Sequence, residues 1–165
     1  MMRRAAILVL CGLSFLGACS GPPPQKEYSY PAWGFAVSFR AQPKETDYPA
    51  TADGAHTFLV ESVLAGRDNL VNVIDGSAST KTEDQALSDA PAALAKYVGG
   101  TLGPMTYAAS GKAVGREFTL SRPGRPDSRV RVFVWHKHLY ELIAQSSLGS
   151  ADPENEEFLT SFRLI

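Results

Sequence analysis

Two histidines near the end of the chain have a spacing that metal ligands can use. His136 and His138 are two residues apart, and alternate residues of a regular strand project to the same side. A bound ion would need at least one further ligand, for which Asp127 and His56 are the candidates. A chain reversal at Lys137 would break the alignment and leave two turn histidines exposed to water. Both interpretations stay open, and we assign no metal site and no cofactor.

A basic stretch is the second candidate for chemistry. Residues 112–137 hold seven basic side chains against Glu117 and Asp127, a net charge of +5. Such a patch can attract an anionic partner. Its candidate contact residues are Arg122, Arg125, Arg129, Arg131 and Lys137. The alternative is a solvated hairpin with a mobile tip at residues 122–126, since charge runs are usually solvated faces.

The sequence contains none of the common catalytic motifs. It has no Gly-x-Ser-x-Gly elbow, no phosphate-binding loop and no His-Glu-x-x-His pair, which would indicate a hydrolase, a nucleotide site or a metalloprotease. Trp33 and Trp135 could stack on a sugar, but large aromatic side chains more often fill a core. Three glutamates in residues 154–157 are explained by stabilisation of a helix start. We therefore predict no catalytic residue.

The N-terminus has the features of an export signal. Two arginines precede an uncharged apolar run, which is shorter than the roughly 20 residues that span a bilayer. The next segment, Leu16-Gly17-Ala18-Cys19, resembles the lipobox of bacterial lipoproteins. The resemblance implies cleavage after Ala18 and a diacylglycerol thioether on Cys19. We predict that residues 1–18 are a signal peptide and that Cys19 is the lipidation site.

Residues 19–27 are predicted to be a tether between the lipid and the domain. They include three consecutive prolines and no large apolar residue, and prolines favour an extended, semi-rigid chain. The partner predicted here is a lipid bilayer, reached through acylated Cys19, because several acyl chains hold far longer than one. Ser20, rather than Asp, implies the outer membrane facing the periplasm if the cell is Gram-negative. The predicted location is the cell envelope.

Residues 19–165 have the composition of one domain. These 147 residues carry 14 basic and 17 acidic side chains, a net charge of −3, which argues against nucleic acid as a partner. Cys11 would leave with the signal and Cys19 would be modified, so the mature chain would have no free thiol and no disulfide. Redox-cysteine and zinc-cysteine chemistry are therefore excluded.

Alternating apolar residues predict an antiparallel sheet of about six to seven strands within a single domain, residues 28–165. The predicted strands are 35–39, 56–64, 69–75, 102–109, 113–120, 128–136 and 139–145. Gly66 and Lys137 mark two hairpin connections. Residues 40–54 are polar and are predicted to be a loop.

The first of two predicted helices has clear start and stop signals. Thr82 and Gln85 have the spacing of a capping box, and Gly99 provides the stop. Pro91 interrupts the pattern. Either the helix kinks there, or a second turn restarts with Asp89 as its cap.

The second predicted helix closes the domain. It begins near Asp152, with Pro153 in its first turn. Phe158, Leu159 and Phe162 form its buried stripe. The resulting fold class is α+β, an antiparallel sheet flanked by two helices.

Four segments of the chain resemble the PsbP-like superfamily, and within it small bacterial proteins. The segments are 33–39, 111–118, 131–142 and 157–164. The resemblance covers most of residues 28–165 and rests mainly on core and turn residues. It implies an antiparallel sheet flanked by helices and a role in binding or assembly. The sequence departs from the family pattern after Phe39, where a proline is common but here comes only at Pro43.

We consider three functions. The first is a membrane-anchored, non-catalytic binding or assembly module of the cell envelope, with an envelope protein or an anionic polymer as partner. The second is an envelope enzyme with a histidine or carboxylate site, and the third is a structural surface lipoprotein without a specific ligand. A deep pocket that gathers His56, His136, His138 or an acid pair would favour the enzyme. A shallow surface with the arginines on one face would favour the binding module.

Overall fold

A computed structural model describes residues 22–50, 54–77 and 79–165. The predicted signal peptide and Cys19 lie outside the described residues. Within these ranges, no helix is long and apolar enough to cross a membrane.

Two antiparallel sheets form the β part of the molecule. The small sheet has the order β1-β2-β10 and the large sheet has the order β3-β4-β5-β9-β8-β7-β6. The strands are β1 Lys26–Tyr30, β2 Phe35–Phe39, β3 Lys44–Tyr48, β4 His56–Leu64, β5 Arg67–Asp75, β6 Thr101–Ser110, β7 Ala113–Ser121, β8 Ser128–Trp135, β9 His138–Ser146 and β10 Arg163–Leu164. The predicted α+β class and the seven-stranded antiparallel sheet with two helices are confirmed.

The structure adds three strands that the sequence did not predict. β3 lies in the predicted loop 40–54, and its polar residues are mostly exposed because it is an edge strand with little to bury. β1 begins at Lys26, two residues before the predicted start of the domain at residue 28. β10 is a two-residue strand that pairs with β2. Short or polar strands of this kind carry no clear apolar alternation.

The other edge of the large sheet is β6. It contains Pro104, which has no backbone N–H to donate. Its pairing with β7 is irregular between Leu102 and Met105, where the register shifts. Such features are typical of edge strands.

Helix α1, Glu83–Val98, forms as one continuous helix. Thr82 Oγ1 accepts the Gln85 N–H and the Gln85 side chain accepts the Thr82 N–H, so the predicted capping box is present. Gly99 ends the helix with a left-handed backbone, φ +66. Pro91 lies inside the helix and no second helix restarts there; the Asp89 carboxylate pairs with Lys81 Nζ instead.

Helix α2, Pro153–Ser161, is capped by Asp152, close to the predicted start. The Asp152 carboxylate accepts the Glu154 N–H, and Pro153 occupies the first turn. Phe158, Leu159 and Phe162 are buried, as the sequence predicted.

The large sheet is covered on both faces. On the α2 face, the small sheet and α2 pack on Val71, Val73, Tyr140 and Leu142. On the α1 face, Leu94 and Ala95 of α1 pack on β7 and β8 through a second apolar cluster. Helix α1 contacts mainly β6, β7 and β8. The β4–β5 half of the α1 face is therefore not beneath this helix.

The register of the strands defines two ends of the large sheet. We call the end with His56, Asp75 and His138 the histidine end; these three residues are neighbours on β4, β5 and β9. We call the opposite end, with Arg67 and Ser146, the tether end. A nine-residue strand separates the two ends by about 30 Å.

Candidate functional site

The histidines lie at one end of the sheet but do not form the arrangement that the sequence suggested. His136 and Lys137 form the tight turn between β8 and β9, both with positive φ. His138 is the first residue of β9, whereas His136 stacks on Trp135 at 4.6 Å between ring centroids. The turn at Lys137 therefore breaks the strand alignment that two metal ligands would need.

His56 and His138 are brought together beneath Trp33. The Trp33 ring lies edge-on to both, with centroid distances of 4.9 Å and 6.0 Å. Asp75 lies between them in the sheet. Its carboxylate accepts the Ser77 N–H, and this bond, with the nearby histidines, lowers the pKa of Asp75 despite the cost of burial.

The two further ligands that the sequence suggested, His56 and Asp127, lie in different parts of the domain. His56 Nε2 lies 2.5 Å from Asp47 Oδ1. Asp127 precedes β8 at the tether end, about 26 Å from the histidine end by the length of that strand. Across residues 22–50, 54–77 and 79–165, no group of three or more His, Cys, Asp or Glu is placed to hold a metal ion.

Two of the five basic candidates form ion pairs with acidic side chains of the same domain. Arg129 and Arg131 each contact both Glu117 and Glu156 on the α2 face. Burial opposes ionisation of Glu117, but hydrogen bonds from Arg131 and Arg129 outweigh it and lower the pKa of Glu117. The charges of these arginines are balanced by acids of β7 and α2.

The other three basic candidates lie at opposite ends of the sheet. Arg122 and Arg125 are at the tether end, where Arg122 donates to Gln145. Burial raises the pKa of the nearby Asp68, and the charges of both arginines oppose this rise. Lys137 is at the histidine end, and its backbone N–H donates to Glu83 Oε1. The five residues therefore do not form one continuous surface.

A buried carboxylate lies on the α1 face, and the sequence analysis missed it. Glu141 of β9 is 5% exposed, and the Asn72 side-chain N–H donates to it at 2.8 Å. Burial raises the pKa of Glu141, although the Asn72 hydrogen bond acts in the opposite direction. Its position between Leu139 and Ile143, which share its face, was a signal of burial in the sequence.

A cleft of about 370 Å³ opens on the α1 face, between α1 and strands β5, β9 and β8. Its sheet side is formed by Ile74, Val134 and Leu139. Its helix side includes Ala90 and Ala93. Charged side chains stand at its rim, among them the ion pair of Lys81 and Asp89. An apolar floor with a polar rim suits the binding of an apolar group.

The layers described above define an α+β domain of the PsbP-like fold. Among solved structures, the chain is similar to the solution structure of cyanobacterial PsbP (CyanoP) from Synechocystis sp. PCC 6803. The TM-score is 0.62 at 13% identity, and the match covers 91% of this chain and 99% of that chain. No protein-family model and no curated protein matches the chain. Similarity at this identity concerns the fold alone, and it agrees with the fold that the sequence resemblance implied.

Proposed function

We propose that this protein is a lipid-anchored, non-catalytic binding or assembly module of the cell envelope. In this proposal Cys19 carries the acyl chains, and the cleft beside α1 binds an apolar segment of an envelope protein. The observation that carries the proposal is the lipobox-like Leu16-Gly17-Ala18-Cys19, placed seven residues before the first strand at Lys26.

The short spacing supports a tethered domain. Residues 20–25 separate the proposed lipidated residue from β1. A proline-rich chain extends by about 3.1 Å per residue, so this connection reaches about 20 Å. A domain on such a tether works at the membrane surface, and its partner must be a component of the membrane or of the adjacent envelope.

The cleft supports binding of a partner. Ile74 and Leu139 are only partly buried, although both belong to the central strands of the sheet. Ala93 is exposed on the helix side of the same cleft. A partner that filled the cleft would remove this apolar surface from water, which stabilises a complex by about 25 cal/mol per Å².

Replacing Cys19 with serine is expected to abolish acylation and membrane association. The thioether cannot form on a hydroxyl, so the precursor would not be lipidated. Incorporation of labelled palmitate and flotation of the membrane fraction measure this effect. The matched control is Cys11→Ser, which changes the other cysteine and should leave labelling intact. Continued labelling of the Cys19→Ser protein would contradict the anchor.

A photo-crosslinking amino acid at Ala93 is expected to capture a partner in intact cells. Ala93 lines the cleft, whereas its neighbour Ala92 is also exposed but does not line it. A discrete protein adduct at Ala93 and none at Ala92 would support binding through the cleft. A heterogeneous, polymer-linked product would indicate a cell-wall polymer as the partner instead. Equal adducts at both positions, or none, would contradict a role for the cleft.

A further inference from the structure

The position of the N-terminal segment indicates which end of the domain faces the lipid. The Pro23 carbonyl accepts a hydrogen bond from Arg40 Nη1 at 2.6 Å. Arg40 also pairs with Glu154 at 3.1 Å and with Glu157, both on α2. Arg40 therefore fixes the departing chain beside the start of α2.

The start of α2 lies at the tether end of the large sheet. Arg67, the first residue of β5, pairs with Asp152 and with Glu154. The same Glu154 pairs with Arg40. The point where the chain leaves the domain and the tether end of the sheet therefore share one set of ion pairs.

Chain length then limits how far the tether end can be from the bilayer. Cys19 is four residues before Pro23, and a fully extended chain spans at most about 3.6 Å per residue. The lipidated residue would lie within about 14 Å of Pro23. The histidine end is about 30 Å further along the strands.

The tether end presents an apolar side chain on a well-supported turn. Leu148 follows β9 and is 72% exposed. Its N–H donates to Ser146 Oγ at 3.1 Å. The flanking backbone is held by Ser147 N–H donating to Gly66 O at 2.9 Å and by the Asn155 side chain donating to Gly149 O at 3.1 Å. This turn holds a leucine out in water at the end of the domain that is nearest to the lipid.

We propose that the Leu148 turn contacts the phospholipid bilayer, so that the domain stands on the membrane with its tether end down. The proposal rests on the lipid anchor proposed above. Transfer of an apolar side chain from water into the boundary between headgroups and acyl chains lowers the free energy of the system. An acyl anchor within about 14 Å of Pro23, at the same end of the domain as this turn, keeps the turn near the membrane surface and raises its effective concentration there.

A fluorescent probe on a single introduced cysteine tests this orientation. The mature chain would have no free thiol, because Cys11 is removed and the sulfur of Cys19 is a thioether. A maleimide probe therefore labels only the new position. The acylated protein carries Leu148→Cys, and the matched control carries Val114→Cys. Val114 is 57% exposed and lies near the start of β7, at the histidine end. Each labelled protein is reconstituted in vesicles of phosphatidylethanolamine and phosphatidylglycerol.

We expect the probe at residue 148 to show a blue-shifted emission. It should also lose most of its fluorescence when the vesicles contain spin-labelled lipid. The probe at residue 114 should keep a water-like emission and resist quenching. Equal quenching at both positions, or none at residue 148, would overturn the orientation. Flotation of the vesicles separates this failure from failure of the anchor, because protein that does not float with the lipid contradicts the anchor itself.

Discussion

Replacement of Gly115 with alanine is expected to prevent the domain from folding stably. A Cβ added at Gly115 would lie 2.3 Å from the carbonyl oxygen of Val132 and 2.6 Å from Cδ1 of Phe133. Gly115 pairs directly with Phe133 between β7 and β8, and Phe133 is buried and stacked on Phe162. Neither the central backbone nor the ring can move aside without disrupting the core. We expect a loss of more than about 4 kcal/mol in the free energy of unfolding.

Urea unfolding followed by circular dichroism measures this loss. The control is Val114→Ala at the neighbouring exposed position, which should change the free energy of unfolding by less than about 0.5 kcal/mol. A Gly115→Ala protein with a stability close to that of the wild type would show that β7 and β8 do not approach each other as described.

Replacement of Asp152 with asparagine is expected to cost about 2–3 kcal/mol of stability at neutral pH. The Asp152 carboxylate is buried and accepts hydrogen bonds from Ser146 Oγ at 2.5 Å and from Arg67 Nε at 2.9 Å. Asparagine can still cap α2 by accepting the Glu154 N–H. It removes the negative charge opposite Arg67, which keeps only Glu154 at 3.2 Å. The loss therefore measures the buried ion pair rather than the helix cap.

The same substitution is expected to change the pH dependence of stability. Burial would raise the pKa of Asp152, but hydrogen bonds from Ser146, Glu154 N–H and Arg67 outweigh it and lower the pKa. A carboxyl whose pKa is lowered in the folded state stabilises above its unfolded pKa of about 3.8. This contribution is lost as the pH falls through the lower, folded-state value. The difference between wild type and Asp152→Asn should therefore shrink as the pH falls below about 4.

Unfolding in urea at a series of pH values tests this prediction. The matched control is Asp127→Asn, which removes the same charge from an exposed position at the same end of the sheet. The control should have nearly the same stability as the wild type at every pH. A constant difference for Asp152→Asn from pH 7 to pH 3 would contradict the assignment of the effect to the ionised carboxylate.

Local patterns in the sequence were sufficient to predict most of the fold. The capping box of Thr82 and Gln85 and the stop at Gly99 define α1 because helix ends are set by contacts between near neighbours. The central strands were predicted because apolar residues recur at alternate positions along them. β3 was missed because its residues face mostly solvent and need no such alternation.

The candidate site depended on contacts that a local pattern does not contain. Arg129 and Arg131 form a basic run in the sequence, but Glu156, more than twenty residues later on α2, pairs with both. The cleft joins Ile74 to Leu139 across neighbouring strands and to Ala93 on α1. Only the folded topology brings these residues together. Glu141 was within reach of sequence reasoning, because it occupies an apolar position of its strand.

The two edge strands of the large sheet have a consequence if the protein is lipid-anchored as we propose. A tether concentrates molecules in two dimensions, and exposed strand edges that meet there can join into intermolecular sheets. The edge strand β3 carries Lys44, Glu45 and Asp47, and β6 carries Pro104 and a register shift. Charges on one edge and an interrupted ladder on the other both oppose edge-to-edge pairing. Under the anchor proposed above, neighbouring copies could therefore crowd together on a membrane without polymerising.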